Sequence, residues 1–192
     1  MTDPAAASLK PPVPAGGFAP VAPTRARLYN AVVARAATLH LSRTRTVNEE
    51  ELLNELPREL EEASRFHTHL GPYLVVGLRM GRAVTEELGD EPFSYRIRAH
   101  TGRIPPYSCS VDGIQLATPC TTGNGCIEVS EPRLMSLEAF RDDSVLRVTL
   151  RREVFDRIEN ECSEDDQHEF AMWIWNMPTD ELLEISMERR QS

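Results

Sequence analysis

The chain has 192 residues, 41% hydrophobic and 27% charged, enough for one domain with a core plus extensions. Its net charge of −9 argues against general nucleic-acid binding, which needs Lys and Arg against phosphate. No apolar run reaches the ~18 residues of a membrane span, and residues 1–23 lack the basic start and apolar run of a signal peptide. A reducing cytoplasm is therefore expected, and the four cysteines read as free thiols rather than a disulfide framework.

Residues 1–23 are rich in Ala, Pro and Gly and read as a flexible leader, because they bury too little apolar surface to offset their ordering entropy. Residues 24–46 form a helical extension, with Thr24 as cap and a helix over 25–41 carrying Leu28, Val32 and Leu39. Residues 1–46 carry a net +5, which leaves −14 on the rest; this head reads first as a solvated tail followed by a helix, and could otherwise touch an acidic partner or the protein's own acidic surface. The main domain is expected over 47–192. Its first helical stretch, 48–65, is divided at Pro57 and presents seven glutamates as a solvated face.

A non-helical link follows at 66–71. Pro72 then opens a helix that ends near Leu88, with Gly89 as its stop. Within it Gly77 and Gly81 stand one turn apart and would let another backbone approach. Alternation over 93–100 predicts a half-buried strand, with Phe93, Tyr95, Ile97 and Ala99 on one side. After Pro105-Pro106 come a helix over 108–118, a polar turn at 119–125 and a short strand at 126–129. A strand at 145–150, a helix at 153–161 and a helix opened by Ser163 and Asp166 complete the clear elements. Residues 181–187 fit a strand or a last helix. Helices and strands do not alternate regularly, so the fold class is α+β.

Three segments concentrate reactive groups. In an extended link, His67 and His69 would project to one side and share a metal, though ordinary polar roles fit them too. Cys109 at a helix start would be favoured as thiolate by the backbone dipoles, with Asp112 one turn on. A buried thiol with a helix-start aspartate fits this segment equally well. The segment Cys120-Thr-Thr-Gly-Asn-Gly-Cys126 offers hydroxyls, amides and two further thiols, either of which could complete a metal site. No CxxC pair is present, which disfavours a closed zinc module but leaves a catalytic site with scattered ligands open. P-loop, GxSxG, HExxH and dinucleotide-binding patterns are absent.

In order along the chain, Phe66-His67-Thr68-His69-Leu70-Gly71-Pro72, Gly77-Leu78-Arg79-Met80-Gly81, residues 105–115 and Cys120-Thr121-Thr122-Gly123-Asn124-Gly125 resemble the FmdE family, named for formylmethanofuran dehydrogenase. The resemblance implies a mixed β-sheet covered by helices, here with an extra N-terminal helix and the leader. It also implies a homodimer and a bound metal, zinc before nickel or iron, held by His67, His69, Cys109 and Cys120. Asp112 and Cys126 are then the candidate catalytic groups, Cys126 also standing as a substitute ligand, and Thr121, Thr122 and Asn124 the candidate substrate contacts. Thr68, Pro119, Asn124 and Cys126 depart from the family pattern, and the loss of a lysine at Asn124 removes an anion contact.

The function expected is a metal-dependent enzyme acting on a small molecule, linked to one-carbon or formylmethanofuran metabolism. The alternative is an accessory protein that binds a metal or cofactor, or delivers it to a metalloenzyme partner. The apolar residues Phe170, Met172, Trp173, Trp175 and Met177 surround one short helix, which independently suggests a covered surface and a homodimer.

Overall fold

In the computed structural model the described residues are 56–131 and 133–189. The expected leader, the 24–46 extension and the first part of the acidic helix lie outside them. The elements run α1 (Arg58–His67), α2 (Pro72–Leu88), β1 (Arg96–Ala99), α3 (Cys109–Ala117), β2 (Ile127–Val129), β3 (Ser136–Arg141), β4 (Ser144–Leu150), α4 (Arg152–Glu161), α5 (Gln167–Asn176), α6 (Thr179–Leu182) and β5 (Leu183–Arg189). Five strands form one mixed sheet in the order β2-β1-β3-β4-β5. Only β1 and β2 are parallel; the other pairs are antiparallel. The expected α+β class and helix-covered mixed sheet hold.

Period-two alternation separates the sheet's faces. Ile97, Ala99, Leu137, Ala139, Leu146, Val148, Leu150 and Leu183 are buried on the helix side. The opposite face is polar: Arg98 bonds Glu128, and Arg147 bridges Glu138 and Glu188. His100 belongs to this second face. Its Nδ1 lies 2.8 Å from Ser130 Oγ and its Nε2 lies 3.3 Å from Glu138 Oε2, partners far away in sequence.

Helix α2 is the central pillar, packed on α3, α5 and β4. Its residues Leu74, Val75, Val76, Met80 and Val84 are fully buried. The expected close backbone approach occurs against α3. A Cβ on Gly77 would run into the Ser110 carbonyl, and one on Gly113 into the Leu74 carbonyl. These two glycines press the start of α3 onto α2, and so place Cys109 and Asp112 near the end of α1. Arg79, on α2, donates to the carbonyls of Ile174 and Trp175 at 2.8 Å each, satisfying the C-terminal end of α5.

Several expectations are corrected. The link at 66–71 starts later than expected, because α1 continues through His67 and ends on Thr68 in the left-handed region, at φ 76°. The strand expected over 93–100 is only Arg96–Ala99; Phe93 has φ 62° and is exposed. Strand β3 is an element the sequence pattern does not reveal, because it places Phe140 on the polar face and only Leu137 and Ala139 inside. The ambiguous 181–187 stretch divides, with a four-residue helix passing directly into β5. Ser163 Oγ bonds Asp166 Oδ2 at 2.5 Å, but α5 itself starts at Gln167 without a side-chain cap. Among the described residues no helix is long and apolar enough to cross a membrane.

Candidate metal centre

The histidines come from a helix end rather than an extended link. His67 closes α1, the left-handed Thr68 reverses the chain, and His69 folds back beside it, with ring centroids 4.6 Å apart. Left-handed backbone is costly for a β-branched residue, so this reversal is held by its surroundings. Cys109 opens α3, which the glycine contacts fix against α2. One ligand atom from each of His67, His69 and Cys109 lies within 4.8 Å of the other two.

Whether these residues suit a metal is decided at His67. Its Nδ1 lies 2.7 Å from Asp112 Oδ2, so the carboxylate keeps the proton on that nitrogen. Its Nε2 is then a lone-pair acceptor, and it is buried without a hydrogen-bond partner. A buried acceptor left unpaired is costly, and a cation would satisfy it. Donors of a single tetrahedral zinc stand roughly 3.3–3.8 Å apart, given bonds of about 2.0–2.3 Å. The trio needs to close by only about an ångström, which rotamer adjustment supplies.

The electrostatics of His69 and Cys109 favour their uncharged forms. Although part of the His69 ring is exposed, burial first and then the neighbouring His67 hold its pKa below the ordinary value. The Cys109 thiol is pushed up, by burial first and by Asp112 second, against the lowering effect of its backbone hydrogen bond. The expected helix-start thiolate is thus outweighed in the metal-free protein. A metal ion reverses that balance.

Asp112 is held from both sides. Gln115 Nε2 donates to its Oδ1 at 3.2 Å, while Gln115 Oε1 accepts from the Thr122 amide at 2.9 Å and its hydroxyl at 2.8 Å. The 119–125 turn therefore reaches the histidine through Gln115. Its other groups are spent on the turn itself. Asn124 Oδ1 accepts from the amides of Thr121 and Cys126, and its Nδ2 donates to the Pro119 carbonyl. The Asn124 amide donates back to Thr121 Oγ1.

Cys120, expected as the fourth ligand, is not part of the His67–His69–Cys109 group. It is buried, and its thiol donates to the Tyr95 carbonyl at 3.4 Å. Cys126 lies beside it, also buried, with Sγ 3.9 Å from the Asn124 carbonyl. The turn points both sulfurs into the core, where burial and then Cys126 push the Cys120 thiol up to about 12.

Sequence reasoning missed Gln115 and the anchor of the loop before α3. The hydroxyls of Tyr73 and Tyr107 both donate to the Glu159 carboxylate. The Tyr107 carbonyl in turn accepts from Ser110 N at 3.1 Å and Ser110 Oγ at 2.6 Å. Glu159 of α4 thus ties α2 to the segment that presents Cys109. Gln115 lies one turn after Asp112 and was legible as its helical neighbour; nothing in the sequence connects Glu159 with Tyr107.

His67 and Cys109 border a cavity of about 380 Å³, lined also by Asp112, Ser108 and Arg103 among others. This is at the small end of the ~300–1,000 Å³ typical of ligand sites.

The chain is similar to known proteins in three ways. A family model described as "FmdE, Molybdenum formylmethanofuran dehydrogenase operon" matches residues 66–184, from the histidine turn into β5. A protein of Archaeoglobus fulgidus named "Probable S-adenosyl-L-methionine-binding protein" is 34% identical over 79 residues, covering 38% of this chain and 21% of that protein. The chain thus spans about a fifth of the length of this curated relative. The crystal structure of a tungsten formylmethanofuran dehydrogenase FmdE-like protein from Syntrophus aciditrophicus superposes with TM-score 0.52 at 22% identity, covering 69% of this chain and 71% of that one. At that identity the likeness is one of fold.

Proposed function

The chain belongs to the FmdE family, and from that premise we propose that it is a zinc-dependent enzyme acting on a small molecule held beside His67 and Cys109. The observation that carries this reading is the convergence of His67, His69 and Cys109 within 4.8 Å around the orphaned His67 Nε2. Two imidazole nitrogens and one thiolate suit zinc, while nickel and iron accept the same donors. When bound with three protein ligands, such an ion supplies a Lewis acid with an open position.

The chain's own residues do the rest. Asp112 keeps the proton on His67 Nδ1 and so aims Nε2 at the ion. Gln115 keeps Asp112 in place, and the Thr122 turn keeps Gln115 in place. In this reading Thr121 and Asn124 shape the turn, and Cys120 and Cys126 pack beneath it. Cys109 releases its proton on binding the ion, so zinc uptake acidifies an unbuffered solution. The family's association with a formylmethanofuran dehydrogenase operon supports a substrate of one-carbon chemistry. All four cysteines are free, in keeping with a reducing cytoplasm. A homodimer belongs to the same reading, and sedimentation at one chain mass would remove it.

Elemental analysis of the full chain tests the site. One zinc per chain is expected, abolished in Cys109→Ala and retained in Cys162→Ala. Unchanged metal content in Cys109→Ala would overturn the assignment.

A second reading, delivery of a metal to a partner metalloenzyme, is favoured by the exposure of His69. Loss of zinc to a chelator within seconds would support delivery, and retention for hours would support a resident catalytic ion.

A further inference from the structure

The charges around the cavity have not been used by the metal site. Most described arginines are tied to carboxylates, as Arg98 is to Glu128 and Arg157 to Glu161. Among the described residues Arg79, Arg96, Arg103, Arg133, Arg141 and Arg189 form no ion pair, and of these Arg103 lines the cavity while Arg133 packs beside Gly102. Arg103 lines the cavity and uses Nη2 to donate to the Val129 carbonyl at 2.9 Å, which fixes the arm and leaves the rest of its donor fork open. Arg133 lies with its guanidinium carbon 5.5 Å from the centre of the Tyr107 ring, next to the loop that presents Cys109.

The two segments are pressed together. Gly102 has φ 70°, and a Cβ there would stand 2.8 Å from Arg133 Cγ and 3.0 Å from the Glu131 carboxylate. Arg103 therefore lines the cavity, and Arg133 packs beside Gly102, which lines it too, in a chain of net charge −9. The acids nearby do not neutralise them. Both Asp112 oxygens already accept bonds, from His67 and Gln115. Glu131 lies against Gly102 and pairs with neither arginine.

We propose that the ligand of this cavity bears an oxyanion, a carboxylate or a phosphate, which Arg103 grips with help from Arg133 while the rest of the molecule faces His67, His69 and Cys109. The second half of this statement rests on the metal reading above; the arginine contact does not. A guanidinium fork matches either group with two parallel charge-assisted hydrogen bonds. Arg103 and Cys109 line the same cavity of about 380 Å³, so a small molecule held by its anion would bring its remaining groups near Cys109.

Calorimetric titration of the full chain tests the proposal, with succinate and inorganic phosphate as probes and succinamide as the uncharged control. It is run on both metal-free and zinc-loaded protein. At least one anion binds, and succinamide binds at least about tenfold more weakly. Arg103→Gln loses about tenfold in affinity, Arg103→Lys recovers part of it, and Arg133→Gln loses about threefold. Arg96→Gln, on the first residue of β1, serves as a surface control and changes nothing. The tighter probe identifies the headgroup. Absence of binding by both anions, equal binding of succinamide, or unchanged affinity in a folded Arg103→Gln protein would overturn the inference. So would an equal loss in Arg96→Gln, which would mark the binding as diffuse electrostatics. Failure to bind zinc would strike the metal reading alone, because the arginine dependence is also read in the metal-free protein.

Discussion

Cys109 and Cys120 stand at the two ends of the same short stretch of chain, on either side of α3, and the fold treats them differently. Cys109 begins the helix, half-buried, with two imidazoles within ligand range and an unpartnered Nε2 beside it. Cys120 follows the helix, fully buried, with Cys126 alongside and its proton given to a backbone carbonyl. Both thiols are pushed up chiefly by burial. What differs is their company: nitrogen donors and an open cavity for one, packed core for the other. Residue type makes a cysteine eligible as a ligand, and packing decides whether it serves as one.

The comparison breaks first at the ligands themselves. His67→Ala should cost more than about 100-fold in zinc affinity, beyond the roughly 10–100-fold typical of a residue that only orients a ligand. Competition against a chromogenic chelator reads this directly. Asp112→Asn should fall inside that range of about 10–100-fold, because the histidine stays but its tautomer is no longer enforced. For the wild type, affinity should climb with pH as the buried Cys109 thiol gives up its proton.

Cys120→Ala should show the reverse pattern. Zinc stoichiometry stays unchanged while stability falls by about 1–2 kcal/mol, the range for a modest core truncation. Urea denaturation of the metal-free proteins reads the loss. Comparable metal loss in this variant would erase the distinction between the two thiols. Alkaline pH sharpens it further. The folded-state pKa of Cys120 is about 12 against an ordinary 9.0, so the fold favours the neutral thiol. That contribution is fully present below pH 9 and is lost as the pH rises toward 12. The alkaline decline should be shallower in Cys120→Ala.

The smallest expected effect lies between the histidines. Thr68 sits at φ 76°, where a β-branched residue is strained. Thr68→Gly should raise stability by about 0.5–1 kcal/mol, part of the relief being offset by glycine's greater freedom when unfolded. Zinc affinity should change little.

How much of this was legible in the sequence follows from which interactions are local. The pillar helix was readable at both ends because Pro72 and Gly89 act within a turn of their own positions. Gly77 and Gly81 were readable as a spacing, although the sequence could not name Ser110 and Ala117 as what they meet, nor Gly113 as the glycine that faces Leu74. His67, His69, Cys109 and Asp112 were singled out as reactive types in short segments, with their joint role implied by family resemblance. The same reasoning gathered Cys120 with them, because a sequence does not tell on which side of a turn a thiol points. Strand β3 escaped because its outward positions include Phe140, and its identity is settled by pairing with β1 and β4. Arg103 stood out only once the cavity beside Cys109 and the packing of Arg133 on Gly102 could be seen.

The central claim is that one sulfur and two imidazoles, not two sulfurs, form the metal centre. X-ray absorption at the zinc edge of the loaded full-length protein tests it most directly. The account predicts a single sulfur scatterer at about 2.3 Å and two histidine nitrogens at about 2.0–2.1 Å, with the sulfur signal lost in Cys109→Ala and kept in Cys120→Ala. Two sulfurs in the wild-type shell, one of them removed by Cys120→Ala, would contradict it.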